Sequence, residues 1–346
     1  MKEATARPET ANETVHAFAA MQAGAALQPH EFAPRSLDPM GVEIQITHCG
    51  MCHTDLHLIN NDFGFSSYPL VPGHEIVGVV SRLGEASSGL KVGQRVGVGW
   101  LAGACMVCEQ CTAGHDNLCP NWQPTCVGRE GGYATHIRVD SRFAFPIPDD
   151  LPSEFAAPLL CGGITVFAPL LRHAVAGNSR LGVIGIGGLG HVALQYGRAL
   201  GCHVIAFSSS PTKAAEAKQF GANHFVATGQ PGALSAYTST CDFLLSTVTA
   251  DLPWGEYVQV LRPGGKLCLV GVPDRELRIP AVPFIIGQKS VVSGCIGSRS
   301  EIQTMLEFSA RHRIKPQIEL FPMHEANRAL ERLRANKMRY RAVLTN

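Results

Sequence analysis

The sequence predicts an α/β protein of two domains, in which an irregular, mostly β domain precedes a doubly wound parallel sheet. Three observations support this fold class. The 346 residues exceed what one compact core usually holds, at about 150 residues per domain. Short alternating runs separated by glycine turns fill residues 40–150, and a strand, a glycine-rich turn and a helix-forming stretch follow one another from residue 181.

The first domain is expected to span residues 1–159, beginning with a polar segment, residues 1–13, that we interpret as a disordered tail. Residues 42–47 alternate apolar and polar side chains, as a half-buried strand does, and they run directly into a cluster of cysteines and histidines. Residues 76–80 and 95–98 have the same strand-like character. These short strands predict a rigid frame around the cluster.

The cluster at residues 48–75 contains the side-chain types that bind zinc. It comprises His48, Cys49, Cys52, His53, Thr54, Asp55, His57, His74 and Glu75. Thiolate, imidazole and carboxylate are the donors that zinc prefers, and the remaining groups can orient them. We interpret the stretch as most of a catalytic metal site. The alternative is a buried free cysteine beside unrelated surface histidines.

A second set of cysteines follows at the spacing C-x2-C-x2-C-x7-C. Its members are Cys105, Cys108, Cys111 and Cys119. Four thiolates on one short lobe, about residues 103–120, can surround a zinc ion and leave no open position, which is typical of a structural site. An iron–sulfur cluster uses similar ligands at other spacings, and four unrelated cysteines are the other alternative.

The remaining cysteines belong to neither set, and we expect them to be small buried residues without a function. They are Cys126, Cys202, Cys241, Cys268 and Cys295.

The second domain opens with a glycine-rich turn between an apolar run, residues 181–184, and a helix-forming stretch, residues 191–200. The turn consists of Gly185, Ile186, Gly187, Gly188, Leu189 and Gly190. Glycines allow the backbone to approach a pyrophosphate, and the helix N-terminus stabilises the anion. The next strand, residues 202–208, ends about twenty residues further on, where a dinucleotide domain contacts the ribose. We therefore predict a dinucleotide site.

The end of that strand indicates which dinucleotide binds. An acidic residue would bind the ribose hydroxyls of NAD and repel a 2′-phosphate, but this chain has Ser208, Ser209 and Ser210, with Lys213 close behind. Hydroxyl donors and a cation favour NADP(H) over NAD(H). The serines can also form a turn that caps the helix beginning near Pro211, and both roles are compatible.

Further strand-like runs alternate with helical or turn segments, so that six parallel strands fill residues 160–295. These runs are residues 224–227, 243–247, 266–270 and 290–296. Two amphipathic helices, residues 301–313 and 325–335, and a last strand, residues 339–344, form a C-terminal segment from residue 296 onwards. We expect this segment to return to the first domain.

Composition limits the partners. A net charge of +1 with 16% charged residues provides no broad basic face for a nucleic acid. No run of 18 or more apolar residues occurs, and residues 1–13 lack the apolar segment of a signal peptide, so we expect a cytoplasmic protein that does not contact membranes. In that compartment the twelve cysteines indicate metal ligands rather than disulfides. We also expect a homo-oligomer, and a dimer rather than a tetramer.

Taken together, these motifs resemble the zinc-dependent medium-chain alcohol dehydrogenases, specifically the branch of cinnamyl alcohol dehydrogenases and bacterial NADP-dependent broad aldehyde reductases. The resemblance covers residues 40–346. It depends on the four-cysteine lobe and on the segments CGMCHTDLH at 49–57, PGHE at 72–75, LCGGIT at 160–165 and GIGGLG at 185–190. It implies a GroES-like catalytic domain and a Rossmann domain, with substrate and nicotinamide meeting in the cleft between them.

The resemblance also implies the metal ligands and the residues that support them. Cys52, His74 and Cys161 would bind a catalytic zinc, with Glu75 as a carboxylate able to approach the metal, so that each chain would carry two zinc ions. Cys49 is not the ligand, because the motif's ligand is directly followed by His53, Thr54 and Asp55. Two thiolates and an imidazole would leave a fourth position for a substrate oxygen.

Other residues receive roles in the same way. Thr54 would pass a proton through the nicotinamide ribose to His57 and then to water, and Asp55 would hydrogen-bond His74. The residues expected to contact the cofactor outside the glycine turn are His53, Thr165 and Arg341. Two alternatives remain open, a solvated surface position for His57 and an interdomain ion pair for Arg341.

The implied reaction is reversible hydride transfer between NADP(H) and an aldehyde or alcohol whose oxygen is polarised by zinc. Phe63, Trp100 and Leu101 match positions that line the substrate pocket in relatives, which favours an apolar aldehyde, although ordinary core packing explains Trp100 equally well. The segment formed by residues 121–132 is shorter than the corresponding segment of the plant enzymes and differs from it. We therefore expect broad reduction of aromatic and medium-chain aldehydes rather than cinnamyl specificity.

Three other functions compete with this hypothesis. A polyol dehydrogenase of the same superfamily tends to have a carboxylate where Cys161 stands, which weighs against it. A zinc-less enone or quinone reductase and a non-catalytic zinc-stapled redox sensor would both lack a metal at Cys52 and His74. Bound zinc therefore discriminates between the hypotheses: two ions per chain support the dehydrogenase, whereas one ion confined to the four-cysteine lobe contradicts the catalytic site.

Overall fold

The computed structural model describes residues 14–273 and 275–346, so the predicted tail at residues 1–13 lies outside the described residues. The chain forms two compact units. The first contains the chain up to Cys161 together with Ser298–Arg311 and Gln317–Asn346. The second contains Gly162–Gly297 and His312–Pro316. The C-terminal elements thus belong mainly to the first unit.

The strands in chain order are β1 (Val15–Ala20), β2 (Leu27–Phe32), β3 (Gly41–Met51), β4 (Ile76–Leu83), β5 (Arg95–Val98), β6 (Leu101–Gly103), β7 (Gln123–Pro124), β8 (His136–Asp140), β9 (Phe145–Pro146), β10 (Arg180–Ile184), β11 (His203–Ser208), β12 (His224–Ala227), β13 (Cys241–Ser246), β14 (Leu261–Leu269), β15 (Ser290–Ser293), β16 (Ile318–Pro322) and β17 (Arg341–Thr345). The α-helices are α1 (His53–Asn60), α2 (Glu109–Thr112), α3 (Ser153–Pro158), α4 (Ile164–Arg172), α5 (Gly190–Ala199), α6 (Ala214–Gln219), α7 (Trp254–Val260), α8 (Ala281–Ile286), α9 (Arg299–His312) and α10 (Ala326–Arg334).

The first unit is built on a mixed sheet of seven strands, in the order β16-β17-β3-β4-β5-β9, with β8 also paired to β3. Its alternating apolar side chains, such as Val42, Ile44 and Ile46 of β3, form a continuous buried core. Because β3 and β4 are antiparallel, Cys49 pairs with Ile76. The end of β3 and the start of β4 therefore meet, and this brings the two halves of the predicted ligand cluster together.

The second unit contains six parallel strands in the order β12-β11-β10-β13-β14-β15. This order confirms the predicted doubly wound sheet. Its first strand, β10, lies in the middle, and the chain reverses direction across the sheet between β10 and β13. Ligands of such sheets bind outside the carboxyl ends of the strands at that reversal. The glycine-rich turn follows β10 and so lies at this position.

Two helical segments were not predicted. Helix α1 occupies residues inside the ligand cluster, where histidine, threonine and aspartate obscure the helical period. The segment Ser153–Arg172 contains α3, a π-turn at Leu159–Gly163 and α4. By its 20 residues and its mean hydropathy of 1.6 it could span a membrane, but 78% of its apolar window is buried inside the protein, as in the core helix of a globular domain.

Candidate metal centre and cofactor loop

The ligand cluster begins where helix α1 begins. Cys52 is the N-cap residue, in extended conformation, and the Asp55 side chain reaches back to accept a hydrogen bond from the Cys52 backbone N–H at 2.9 Å. This is one half of a capping box, and it fixes the direction in which α1 leaves β3. The local sequence Cys52–Asp55 therefore sets the position of the first candidate ligand.

Asp55 also holds the second candidate ligand. Its Oδ1 accepts hydrogen bonds from His74 Nδ1 and from the Gly73 backbone N–H, both at 3.0 Å. Its Oδ2 receives the Tyr133 hydroxyl at 3.4 Å in addition to the Cys52 amide. Because a carboxylate faces Nδ1, we assign the imidazole proton to that nitrogen. Nε2 is then free to bind a metal.

The four predicted ligands of the catalytic site lie together. Donor atoms of Cys52, His74, Glu75 and Cys161 are all within 4.8 Å of one another. His74 Nε2 lies 3.3 Å from Cys161 Sγ, and Cys161 Sγ lies 4.0 Å from Cys52 Sγ. Thiolates of a tetrahedral zinc site, with Zn–S bonds of about 2.3 Å, lie about 3.8 Å apart. The residues present therefore fit a zinc ion.

Electrostatics of the cluster also favour a cation. A hydrogen bond from the Cys161 thiol lowers the pKa of Cys52 well below its usual range, although burial opposes the shift. Burial alone would lower the pKa of His74, but Asp55 and Cys161 raise it further than burial lowers it. Burial raises the pKa of Glu75 to about 7 despite the neighbouring Arg341 guanidinium. These shifts arise from anionic donors crowded into a dry site.

Glu75 occupies a space that a glycine leaves open. Its Oε1 accepts a hydrogen bond from Arg341 Nη2, whereas its Oε2 is buried without a hydrogen-bond partner in the part of the chain that the structure describes. A Cβ atom at Gly50 would lie 2.0 Å from Oε2. A buried carboxylate oxygen without a partner costs free energy, so this oxygen has a position suited to a metal ligand.

Arg341, predicted to hold the cofactor, is 6% exposed on β17 and pairs with Glu75. Both residues belong to the first unit, so this ion pair is not the interdomain pair considered from the sequence. Its contact with a cofactor stays a prediction.

The predicted proton-transfer residues follow along α1. Thr54 Oγ1 lies 3.6 Å from Cys52 Sγ, and His57, three residues further, shares a face of the helix with it. The His57 side chain is 42% exposed, and its Nδ1 lies 2.8 Å from Asp62 Oδ2. His53, at the start of α1, is exposed. The helix thus leads from the buried cluster to solvent.

Aromatic side chains line one side of the cluster. The Trp100 ring meets His74 edge-on, with centroids 5.1 Å apart, and contacts Trp122 at 6.0 Å. Phe63 lies over His57 at 5.2 Å and is 47% exposed. Leu101 is buried in β6, where it pairs with Pro124. Trp100 and Phe63 therefore adjoin predicted site residues, while the pocket role of Leu101 stays a prediction.

The four-cysteine lobe is closed as predicted. Donor atoms of Cys105, Cys108, Cys111 and Cys119 lie within 4.8 Å of one another. Cys105 Sγ is 3.9 Å from Cys111 Sγ and 3.5 Å from Cys119 Sγ. Backbone N–H groups of Val107 and Cys108 lower the pKa of Cys105 to about 6. Four sulfur donors at these separations fit a tetrahedral zinc site with no open position.

Each glycine of the cofactor loop that can be assessed has a different reason to be glycine. Gly185 has φ +87°, and its Cβ would lie 2.3 Å from Val248. A Cβ at Gly190 would lie 1.9 Å from the Gly185 carbonyl oxygen, so the helix can pack closely only with glycine there. Nothing lies within 4 Å of a Cβ at Gly187. That open space fits the close approach of a pyrophosphate to the backbone.

Lys213, which follows the serines at the end of β11, contacts the glycine-rich loop. Its Nζ donates a hydrogen bond to the Ile186 carbonyl oxygen at 2.6 Å. Ser208 is buried and accepts from the Ser210 backbone N–H at 3.2 Å, while Ser209 is exposed. Ser210 precedes the 3₁₀ turn Pro211–Lys213 without a side-chain cap hydrogen bond. Ser208 therefore forms the turn considered as an alternative from the sequence, whereas the Ser210 side chain does not cap the helical turn that follows it.

Thr165 is half-buried in α4 of the second unit, and its contact with a nicotinamide stays a prediction.

One expectation for the remaining cysteines was wrong. Cys295 is exposed, because it follows β15 at the edge of the sheet. Cys126 is buried as expected, but it lies against Asp55 and His74 rather than apart from the site. The sequence reasoning also missed Gly50, Tyr133 and Trp122. Only Gly50 had a local signal, since it stands inside the segment CGMCHTD.

Family models and relatives agree with this geometry. The model of the alcohol dehydrogenase GroES-like domain matches residues 38–149, and the zinc-binding dehydrogenase model matches residues 188–311. The chain is 42% identical over 332 residues to the aldehyde reductase AdhA of Synechocystis sp., covering 96% of this chain and 99% of that protein.

Solved structures of similar chains agree with the family models. A cinnamyl alcohol dehydrogenase of Sorghum bicolor superposes with a TM-score of 0.92 at 38% identity, over 96% of this chain and 98% of that one. A cinnamyl alcohol dehydrogenase of Helicobacter pylori complexed with NADP(H) superposes with a TM-score of 0.88 at 29% identity, over 96% and 98% of the two chains.

Proposed function

Because the chain belongs to the zinc-binding alcohol dehydrogenase family, together with cinnamyl alcohol dehydrogenases and aldehyde reductases, we propose that it is an NADP(H)-dependent aldehyde reductase of broad range. Its substrates are aromatic and medium-chain aldehydes, and the reaction is reversible with the corresponding primary alcohols. The observation that carries this proposal is the cluster of Cys52, His74 and Cys161 beside a Glu75 oxygen that has no hydrogen-bond partner among the described residues.

Each chain is proposed to hold two zinc ions, one in the four-cysteine lobe and one at Cys52, His74 and Cys161. Bound at the latter set, zinc would supply Lewis-acid polarisation of a carbonyl or alkoxide oxygen, and NADPH would supply the hydride. Asp55 orients both the His74 ring and the N-terminus of α1, so it keeps the ligands in place. The aromatic rings of Trp100 and Trp122 offer an apolar wall beside His74, which supports an apolar aldehyde as substrate.

Proton transfer is assigned to α1. The Thr54 hydroxyl adjoins the metal ligands, and His57 shares its helix face and reaches solvent. A proton delivered to the substrate oxygen by Thr54 is replaced from water through His57. Asp62, hydrogen-bonded to His57 Nδ1, orients the imidazole for this step.

The preference for NADP(H) is supported by the uncharged end of β11 and by Lys213 beside the glycine loop. No carboxylate stands at Ser208, Ser209 or Ser210 to repel a 2′-phosphate. A relative of 29% identity is complexed with NADP(H), which agrees with this choice.

We propose a cytoplasmic dimer. The twelve cysteines all lie among the described residues and form no disulfide there, which suits a reducing compartment. Exposed apolar side chains occur at α8 and on the edge strand β15, where Val282, Ile285 and Ile286 are 66%, 70% and 78% exposed and Val291 is 40% exposed. An apolar edge of this kind suits a second copy of the chain. Light scattering should then give about twice the 37.0 kDa of one chain.

The decisive experiment counts zinc and turnover together. Metal analysis of the purified protein should give two zinc ions per chain, and a panel of aldehydes assayed with NADPH and NADH should show turnover of aromatic and medium-chain members with NADPH preferred. One zinc ion per chain would contradict the catalytic site and favour a zinc-less reductase or a redox sensor. A preference for polyols would instead indicate the polyol dehydrogenase.

A further inference from the structure

Cys126 belongs to neither candidate zinc site, yet it lies beside the residues that hold one of them. Donor atoms of Cys126, Asp55 and His74 are within 4.8 Å of one another. All three residues are completely buried. The thiol therefore lies beside the candidate ligand His74 and the carboxylate that orients it, and none of the three side chains reaches solvent.

The backbone holds Cys126 in a conformation that most residues avoid. Its φ is +61°, in the left-handed region, which strains the backbone of any residue that carries a side chain. The preceding residue is fixed on both sides, because Thr125 N–H donates to the Trp100 carbonyl at 2.7 Å and its Oγ1 donates to the Gly99 carbonyl at 2.8 Å. A Cβ at Gly131 would lie 2.6 Å from the Cys126 Cβ. The neighbouring residues thus fix both the position of Cys126 and its strained backbone conformation.

A thiol at this position differs from the other partners of Asp55. Both Asp55 oxygens already accept strong hydrogen bonds, from His74, Gly73 and Cys52. A thiol is a weak donor with a large polarisable atom, so it fills the space beside the imidazole without competing for the carboxylate. Burial raises the pKa of Cys126.

We propose that Cys126 is a positioning residue for the metal ligand His74: its thiol packs against the imidazole and, together with Asp55, fixes the ring with Nε2 facing Cys161. The proposal rests on the proposed zinc ion at Cys52, His74 and Cys161. Loss of the thiol leaves a gap beside the ring, and the ring can then rotate away from the metal. Residues that support metal ligands typically change metal affinity about 10- to 100-fold when removed.

The test compares Cys126→Ala, Cys126→Gly and Cys126→Ser in the full-length protein with zinc bound. We measure zinc release to EDTA by metal analysis, and the visible absorption of protein in which Co²⁺ replaces the catalytic zinc. Cys126→Ala and Cys126→Gly should release one zinc ion about tenfold faster than the wild type and shift the Co²⁺ spectrum, whereas the lobe zinc stays bound. Cys126→Ser, which keeps a hydrogen-bonding group of similar size, should restore most of the retention.

Cys126→Gly separates loss of the thiol from backbone strain, because glycine tolerates φ +61°, and the Tm of each variant reports whether it remains folded. Cys49→Ala is the matched control, since Cys49 is equally buried in the same unit but lies outside both ligand sets. Wild-type zinc release and Co²⁺ spectra for both Cys126→Ala and Cys126→Gly would overturn the proposal, as would equal release from Cys49→Ala. A wild-type protein with one zinc ion would instead contradict the proposed function itself.

Discussion

At the scale of single residues, Asp55 does most to organise the candidate metal centre. Its two oxygens bind the start of α1, the loop before β4 and the ring of His74. Gly50 contributes because it has no side chain: a Cβ there would lie 2.0 Å from the Glu75 Oε2 atom. The cluster CGMCHTD thus encodes a ligand, its orienting carboxylate and the space for a second carboxylate within seven residues.

Asp55→Asn should weaken zinc binding at the catalytic site about 10- to 100-fold. The asparagine side chain is neutral and has one acceptor oxygen instead of two, so it cannot accept hydrogen bonds from both His74 Nδ1–H and the Cys52 backbone N–H. Equilibrium dialysis against a chelator measures the change. Asp62→Asn is the control, because this exposed carboxylate contacts only His57 of the proposed machinery; it should keep its zinc while the pH profile of turnover changes.

The residue at the end of β11 should determine the cofactor. Ser208 is 7% exposed, so Ser208→Asp buries a charge, whereas Ser209 is exposed and accepts a carboxylate without that cost. Ser208→Asp and Ser209→Asp should both lower the ratio of kcat/KM for NADPH to that for NADH, by about tenfold, through repulsion of the 2′-phosphate. Ser209→Asn serves as the uncharged control. An unchanged ratio in both variants would mean that the phosphate is bound elsewhere.

At the scale of elements, the meeting of β3 with β4 and the turn from β10 into α5 place the two sets of functional groups. Antiparallel pairing of β3 with β4 brings Cys52 to His74, 22 residues later in the chain. The glycine loop directly follows β10, next to the point where the strand order reverses, and nothing lies within 4 Å of a Cβ at Gly187. Each site therefore follows from strand order and not from a flexible loop.

The glycine loop allows folding and cofactor binding to be tested separately. Gly187→Ala places a methyl group in open space, so the Tm should be unchanged while the Kd for NADPH rises about tenfold or more. Gly190→Ala forces a Cβ to within 1.9 Å of the Gly185 carbonyl, and should destabilise the protein by about 1–3 kcal/mol. Thermal unfolding with and without NADPH measures both effects. Wild-type affinity for NADPH in Gly187→Ala would remove the loop from the cofactor site.

At the scale of the whole molecule, the two metal sites should affect different properties. We expect the four cysteines of one short lobe to hold a closed site that stabilises the fold, whereas Cys52 follows a strand of the seven-stranded sheet, which has its own continuous apolar core. Cys105→Ser should therefore lower the Tm by about 5 °C or more. Cys52→Ser should abolish turnover while the Tm stays near that of the wild type.

The comparison uses zinc content, thermal unfolding and turnover of the same preparations. Wild-type turnover in Cys52→Ser would show that the catalytic site is misassigned. If both variants lost stability equally, the division between a structural and a catalytic ion would be wrong.

The sequence alone predicted the fold class, the parallel sheet of six strands and both clusters of candidate metal ligands, because these depend on local signals. Alternation of apolar residues, glycine spacing and cysteine spacing act within some twenty residues of chain, and their physics does not require distant partners. Cys161 is the exception among the ligands, since only resemblance to a known family identified it. Helix α1 was missed because the residues that carry the chemistry displace the apolar period that reveals a helix.

Apart from Asp55 and Glu75, which the family resemblance had already placed beside the ligands, only the tertiary structure decided which side chains surround them. Glu75 meets Arg341 across 266 residues, and His74 meets Trp100 and Cys126 from separate strands and turns. Such contacts depend on how strands pair and on where loops return, and no period in the sequence records them. The sequence thus specified the groups that bind a metal, and the folding of the first unit decided that a buried cysteine in a strained conformation lies against one of them.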